Sequence, residues 1–170
     1  MNYFRNSIPL YALLSAPLDS IRNFKSLENV WTQQHTEAFH KLKLALASAP
    51  VISPPDFRCR LHVATDASLT GIHGIIYYIK NDTVHYVAMA SCKLSSSEQN
   101  YSTTKRELLA VVYMFNKFHK WLFAIRFTLH TDHKSLIFLN HQSIPNMLML
   151  NWYDTIFSYS FDVVHIPGCL

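Results

Sequence analysis

The sequence predicts an α/β domain whose sheet contains both antiparallel and parallel strands. Three apolar segments follow one another closely after residue 60, which is typical of an antiparallel meander. A long segment with helical spacing then precedes a fourth strand, and such a helix usually connects parallel neighbours. The chain has 170 residues, 49% of them hydrophobic and 15% charged. One domain with a sizeable core is therefore expected, and a disordered chain is excluded.

The first quarter of the chain is predicted to be helical. Phe39, Leu42 and Leu46 recur at helical spacing, which predicts a helix over 33–47 with one buried face. Prolines at positions 50, 54 and 55 end this helix. We therefore expect a boundary at residue 50, with a helical segment over 1–50 and a separate domain over 51–170.

The remaining elements follow from hydrophobic patterning. Strands are predicted over 61–65, 72–79, 84–91, 127–131 and 161–165. Asn81-Asp82 predicts a hairpin turn between the second and third strands. One long helix is predicted from the helical spacing of apolar residues between positions 108 and 122. Two further helices are predicted over 135–140 and from Pro145 through Tyr159. Four aromatic side chains at helical spacing are expected to be core residues: Phe115, Phe118, Trp121 and Trp152.

Two predicted strands end in the same dipeptide, Thr65-Asp66 and Thr131-Asp132. Parallel neighbours end at the same edge of a sheet, and ligand sites of α/β sheets gather at that edge. The two carboxylates could therefore meet. An Asp after a strand is also a common turn or cap residue, so the turn interpretation stays open here.

Glu107 is a third candidate, and its interpretation depends on where its helix begins. If the helix begins after Thr104, then Thr104 and Glu107 form a capping box, in which the Glu107 side chain bonds back to the Thr104 backbone amide. If the helix begins near Tyr101 or Ser102, Glu107 lies in the second turn and is free to reach a metal. Periodicity does not decide between these two helix starts.

Three carboxylates at one sheet edge would suit magnesium, which prefers hard oxygen ligands. Two such ions about 4 Å apart activate a water and stabilise the leaving oxygen of a phosphodiester. Without cations the carboxylates repel one another. The cluster therefore makes chemical sense as a metal site.

A series of short motifs runs through nearly the whole chain. In order they are WT (31–32), EAFHKLK (37–43), APV (49–51), PDF (55–57), TDAS (65–68), SCKLS (91–95), EQNYS (98–102), KRELLAV (105–111), TDHKSL (131–136), Trp152, YSF (159–161) and HIPG (165–168). Together they resemble the ribonuclease H-like region of a gypsy-type LTR retrotransposon polyprotein, joined to the end of its reverse transcriptase.

This resemblance implies a ribonuclease H-like fold, a five-stranded mixed sheet with helices on both faces. It implies hydrolysis of the RNA strand of RNA–DNA hybrids with two Mg²⁺ (or Mn²⁺) ions. Asp66, Glu107 and Asp132 would be both the metal ligands and the catalytic residues, which favours the metal interpretation of Glu107. Residues 1–50 would be the C-terminal tail of the polymerase, and 51–170 the ribonuclease H-like domain.

The implied partners are an RNA–DNA hybrid and the polymerase part of a reverse transcriptase, with no membrane. Ser68, Tyr101, Lys105 and Lys134 are the candidate nucleic-acid contacts. The Lys side chains could equally be solvated surface, and the Tyr101 ring could be a core or capping contact. A net charge of +4 permits a polyanionic partner without requiring one. Three Cys without a C-x-x-C pair favour an intracellular, reducing compartment.

The sequence also departs from the family pattern. His73 stands where the family has Gly, and a bulky ring there is expected to distort the strand beside Asp66. Asn151 replaces an Arg, and the chain ends at Leu170, before the family's last helix with its fourth carboxylate. These departures leave two alternatives open, a nucleic-acid-binding or connection module without catalysis and a fragment of a decayed element.

Overall fold

The computed structural model describes residues 8, 10–47, 52–132 and 147–166. The elements, in chain order, are α1 (Tyr11–Ser20), α2 (Gln33–Ala47), β1 (Leu61–Ala67), β2 (Gly71–Lys80), β3 (Thr83–Lys93), α3 (Ser96–Gln99), α4 (Thr103–Lys117), α5 (His119–Leu122), β4 (Arg126–Thr131), α6 (Met147–Phe157) and β5 (Ser160–His165). The predicted helix over 135–140 and Pro145 lie outside the described residues.

Five strands form one mixed sheet in the order β3-β2-β1-β4-β5. β1 pairs with β2, and β2 with β3, in antiparallel fashion, whereas β1–β4 and β4–β5 are parallel. The turn between β2 and β3 has Asn81 and Asp82 at φ 50° and 57°, as a two-residue hairpin turn requires. The predicted meander, crossover helix and hairpin turn are thus confirmed.

Helices cover both faces of the sheet, as the resemblance implies. α4 and α6 pack on one face and enclose the main core, because their apolar stripes meet the inward side chains of β1, β2 and β4. Its fully buried large side chains include Phe115, Phe118, Phe127, Leu108, Leu129 and Ile156. α1 lies on the opposite face, where the Ala12 amide donates to Ser91 Oγ at 2.9 Å.

The expected distortion at His73 is wrong. β1 and β2 pair in continuous register from Leu61–Tyr78 to Ala67–Ile72. The close backbone approach falls one residue later, since a Cβ on Gly74 would lie 2.7 Å from Met114 Cγ and 2.8 Å from the Ala64 carbonyl oxygen. The position that needs glycine, on the side of the strand that faces α4, is therefore Gly74. The His73 ring leaves the other face of the strand.

The N-terminal helices form a small layer of their own. α1 packs against α2, with Ile8, Tyr11 and Leu42 buried between them, and α1 also contacts β3. The predicted burial of Phe39 is wrong, because 43% of this side chain is exposed. The boundary at residue 50 remains a prediction. Among the described residues, no helix combines the length and apolar character that a membrane crossing needs.

Candidate metal centre

Three carboxylates from three elements meet at one edge of the sheet. Asp66 lies near the end of β1, Asp132 directly follows β4, and Glu107 projects from α4. One oxygen from each lies within 4.8 Å of the other two. The parallel pairing of β1 with β4 explains why Asp66 and Asp132 meet, since both strands end at the same edge. Within the described residues, this is the one group of three potential metal ligands.

The start of α4 decides the interpretation of Glu107. Ser102 is the N-cap, and its hydroxyl accepts a hydrogen bond from the Lys105 amide. Glu107 is therefore the fifth helical residue, in the second turn, and the capping box with Thr104 is wrong. A capping box does exist one helix earlier, between Ser95 and Glu98.

The Glu107 side chain is buried and incompletely hydrogen-bonded. It is only 3% exposed, and Oε1 accepts a hydrogen bond from the Ala67 amide at 3.1 Å. Oε2 is buried and has no hydrogen-bond partner among the described residues. A buried polar atom without a hydrogen-bond partner costs folding free energy. In folded proteins such an atom usually binds a ligand, a water or an ion.

Burial and the neighbouring aspartates control the protonation of Glu107. Burial, then the charges of Asp132 and Asp66, raise the pKa of Glu107 to about 8. The carboxyl group thus holds a proton at neutral pH as long as no cation offsets the repulsion. A divalent cation would displace that proton.

The cluster fits a hard divalent cation. All three donors are carboxylate oxygens, the ligand type that Mg²⁺ and Mn²⁺ prefer. The unpartnered Oε2 of Glu107 supplies a donor that no protein group occupies. Asp132 is exposed and Asp66 is half-buried, so the site opens to solvent on the side away from α4.

Asp132 is held in place through its backbone. His165, at the end of β5, donates from Nε2 to the Asp132 carbonyl oxygen at 2.9 Å. The Ile166 amide donates to the Thr131 carbonyl at 2.9 Å and extends the β4–β5 pairing past the strands. His165 and Ile166 therefore fix the chain segment that carries the third carboxylate.

His73 contacts the site through a hydrogen bond to Asp66 that was not predicted from the sequence. Its Nε2 lies 3.0 Å from Asp66 Oδ2, and this hydrogen bond is the main cause that holds the pKa of Asp66 below its ordinary value. The turn Ser68–Gly71 sets the register that places His73 opposite Asp66. Pairing the two strands through this turn would have revealed the contact from sequence.

The candidate nucleic-acid contacts have separate environments. Ser68 Oγ donates to the Gly71 carbonyl and accepts from the Thr70 and Gly71 amides, so the turn uses its hydroxyl. Lys105 Nζ lies 3.8 Å from the centre of the Tyr101 ring. The Tyr101 ring also meets Trp152 edge-on at 6.1 Å. Lys134 lies outside the described residues.

Arg106 does not lie on the surface. It is 8% exposed, and its guanidinium donates to the Ser68 carbonyl and to Thr103 Oγ1, both at 3.4 Å. These bonds tie the start of α4 to the turn that follows Asp66. Arg106 therefore helps to set the position of Glu107 relative to β1.

Comparison with known proteins agrees with this architecture. Residues 31–129 match the family model described as the RNase H-like domain found in reverse transcriptase. The chain is 28% identical over 166 residues to the retrovirus-related Pol polyprotein from transposon 297 of Drosophila melanogaster, a match that covers 98% of this chain and 15% of that polyprotein. It is also 28% identical over 173 residues to the transposon Tf2-3 polyprotein of Schizosaccharomyces pombe. This match covers 99% of this chain and 13% of that polyprotein.

Solved structures share the fold. The foamy viral protease–reverse transcriptase in complex with dsDNA superposes with a TM-score of 0.80 at 18% identity, covering 99% of this chain and 36% of that one. The same viral protein in complex with an RNA/DNA hybrid gives a TM-score of 0.75, also at 18% identity, with 99% and 24% covered.

The chain thus spans 13–15% of the length of the two transposon polyproteins. The family match covers more than half of its residues, from just before α2 to Leu129 within β4, and includes Asp66 and Glu107. This chain belongs to the family of RNase H-like domains found in reverse transcriptases and is related to the polyproteins of retrotransposons.

Proposed function

We propose that this chain is the ribonuclease H domain of a gypsy-type LTR retrotransposon reverse transcriptase and that it hydrolyses the RNA strand of RNA–DNA hybrids. One observation carries the proposal. Three carboxylates converge within 4.8 Å, and the buried one has an oxygen without a partner. Such a cluster is costly unless cations fill it.

In this proposal Asp66, Glu107 and Asp132 hold two Mg²⁺ or Mn²⁺ ions. The bound ions would activate a water and stabilise the leaving oxygen of the RNA phosphodiester. The buried Glu107 fixes the site against α4, because its Oε1 is already bonded to the Ala67 amide. The more exposed Asp66 and Asp132 face the solvent side, from which a nucleic acid would approach.

The nucleic-acid partner is proposed from the family and from the charges beside the site. A structural neighbour was solved with an RNA/DNA hybrid. Lys105 would contact a phosphate, and Lys134 would do the same from the segment after Asp132. Tyr101 would border the groove through its ring. Ser68 would act through the shape of its turn, since its hydroxyl is already bonded within it. The polymerase part of a reverse transcriptase would be the protein partner.

Cleavage of a hybrid with labelled RNA tests this proposal. The purified chain should cut the RNA strand only with Mg²⁺ or Mn²⁺ present. Asp66→Asn should lower the rate at least 100-fold, because it removes a charged ligand of the ions. Asp154→Asn is the matched control, since Asp154 is an exposed carboxylate on α6 outside the cluster.

Two results would contradict the proposal. Cleavage that survives in Asp66→Asn, or that continues in excess EDTA, would exclude metal hydrolysis at this cluster. Hybrid binding that strengthens at low salt, without any cleavage by the wild-type chain, would favour a binding or connection module instead.

A further inference from the structure

We propose that His73 is a positioning residue that orients the Asp66 carboxylate for metal binding. This inference rests on the proposed function, because it takes Asp66 as a metal ligand. Three observations carry it: the strand register, the hydrogen bond and the packing around the ring.

The register of the sheet places the two side chains together. Asp66 and His73 are directly opposed residues of the antiparallel pair β1–β2, so their side chains leave the same face. His73 Nε2 lies 3.0 Å from Asp66 Oδ2, an ordinary distance for a ring nitrogen that donates to a carboxylate. Both the neutral ring with a proton on Nε2 and the charged ring make this bond.

Neighbouring elements pack around His73 on the α1 side of the sheet. On its other side His73 is paired with Ser91 of β3, and Ser91 Oγ accepts a hydrogen bond from Ala12 in α1. A cavity of about 400 Å³ beneath α1 is lined by His73 and Asp66 together with apolar side chains, among them Leu13 and Ile75. The ring therefore stands between the apolar underside of α1 and the carboxylate cluster.

Asp66 needs such a partner more than Glu107 does. Glu107 is buried and anchored by the Ala67 amide, whereas 46% of the Asp66 side chain is exposed. A half-exposed carboxylate samples several rotamers unless a neighbour holds it. His73 fixes Oδ2, and so directs the carboxylate plane toward Glu107 and Asp132. Partners of this kind around metal ligands typically account for 10–100-fold in metal affinity.

Direct measurement of Mn²⁺ binding tests the inference without relying on turnover. The full chain is titrated with Mn²⁺ alone, and free ion is counted by electron paramagnetic resonance. His73→Ala should weaken binding about 10-fold. His73→Gln should stay within about threefold of wild type, because its amide group also donates a hydrogen bond at a similar reach.

His85→Ala is the matched control. His85 lies in β3, where it stacks on Tyr78 at 4.9 Å, and it is not part of the carboxylate cluster. Its removal should leave Mn²⁺ affinity unchanged. Unfolding of each variant in EDTA identifies any general loss of folding, and the conservative Gln variant keeps the test decisive if His73→Ala folds poorly.

The possible outcomes separate the two claims. Wild-type affinity in His73→Ala, or tighter binding, would overturn the positioning role while the proposed function stands. Equal losses in His73→Ala and His73→Gln would also overturn it, because the hydrogen bond would then not be the cause. A wild-type chain that binds no Mn²⁺ would overturn the proposed function and the role of His73 with it.

Discussion

The same two strands, β1 and β4, carry two polar clusters of opposite character. In mid-strand, His62 Nδ1 and His130 Nε2 are hydrogen-bonded at 2.9 Å, and their rings stack at 5.2 Å. At the strand ends, Asp66 and Asp132 meet Glu107. An imidazole can donate on one nitrogen and accept on the other, so the two rings share one hydrogen bond, and His130 Nδ1 has no partner among the described residues. Ionised carboxylates only accept, and Glu107 Oε2 has no donor among the described residues, so a cation is its missing counterpart in the proposed function.

The two clusters also avoid buried charge in different ways. Burial lowers the pKa values of His62 and His130, which keeps both rings neutral at pH 7 without any added proton. Glu107 becomes neutral only by retaining a proton that a cation can replace. The comparison supports the proposal that the carboxylate cluster binds cations, whereas the histidine pair is structural.

The largest expected effect comes from Glu107→Gln. The substitution removes the buried ligand, so Mn²⁺ affinity should fall at least 10-fold. In EDTA at pH 8.5 the variant should be more stable than wild type by about 2 kcal/mol, because a buried charge and two repulsions disappear. Urea unfolding with and without Mn²⁺ measures both effects. A variant that is less stable in EDTA would contradict the account of the site.

The two clusters should give opposite pH dependence. Between pH 4.5 and about 8 the folded metal-free protein holds a proton on Glu107 that the unfolded chain has lost. Stability therefore falls as pH rises through this window. For His62 and His130 the unfolded chain takes up protons below pH 6.5 that the folded protein does not. Their contribution is therefore lost as pH falls.

Urea unfolding in EDTA between pH 5.5 and 8.5 separates these slopes. Wild type should lose stability toward both ends of this range. Glu107→Gln should abolish the alkaline decline and retain the acid one. Saturating Mg²⁺ should also abolish the alkaline decline, since the bound ion stabilises ionised Glu107. An alkaline decline that persists in Glu107→Gln would show that another group causes it.

Breaking the histidine pair should destabilise the fold and leave metal binding intact. His62→Ala removes the ring that pairs with His130 Nε2, and His130 Nδ1 already lacks a partner among the described residues. The loss should be about 1–3 kcal/mol. The measurement is urea unfolding, with the Mn²⁺ titration as the parallel readout. Loss of Mn²⁺ affinity at unchanged stability would reverse the assignment of the two clusters.

The smallest effect is expected at Lys105. Its ammonium group lies over Tyr101, a contact that contributes about 0.5–1 kcal/mol at an exposed site. Lys105→Gln should therefore destabilise the protein slightly and weaken hybrid binding at low salt. If Lys105 contacts a phosphate, the slope of log affinity against log salt concentration should become shallower by the amount that one phosphate contact contributes, roughly 0.9. An unchanged slope would leave Lys105 a structural residue.

Much of this architecture could be predicted from the sequence. The repeated Thr-Asp strand ends and the helix between them predicted that Asp66 and Asp132 meet. The capping pattern at Thr104 left the start of α4 open, because Ser102, two residues earlier, is an equally good cap and periodicity does not choose between them. The predicted burial of Phe39 was wrong because helical spacing does not show whether another element packs against that face of α2.

The contacts of His73 and Arg106 were not predicted from the sequence. Each depends on the register of β1 with β2 and on the placement of α4 against their turn. A Gly-to-His departure from a family pattern suggests strain when only the chain is considered. The sheet instead directs the ring to the face opposite α4 and gives it a carboxylate partner.

The most direct test of the metal centre is the proton balance of ion binding. Calorimetric titration of the wild-type chain with Mn²⁺ at pH 7, in two buffers of different ionisation enthalpy, reports the protons released. The pKa of about 8 predicts release of roughly one proton per site from Glu107. Glu107→Gln should release none. Mn²⁺ binding without proton release by wild type, or no binding at all, would contradict the assignment of this cluster as a metal site.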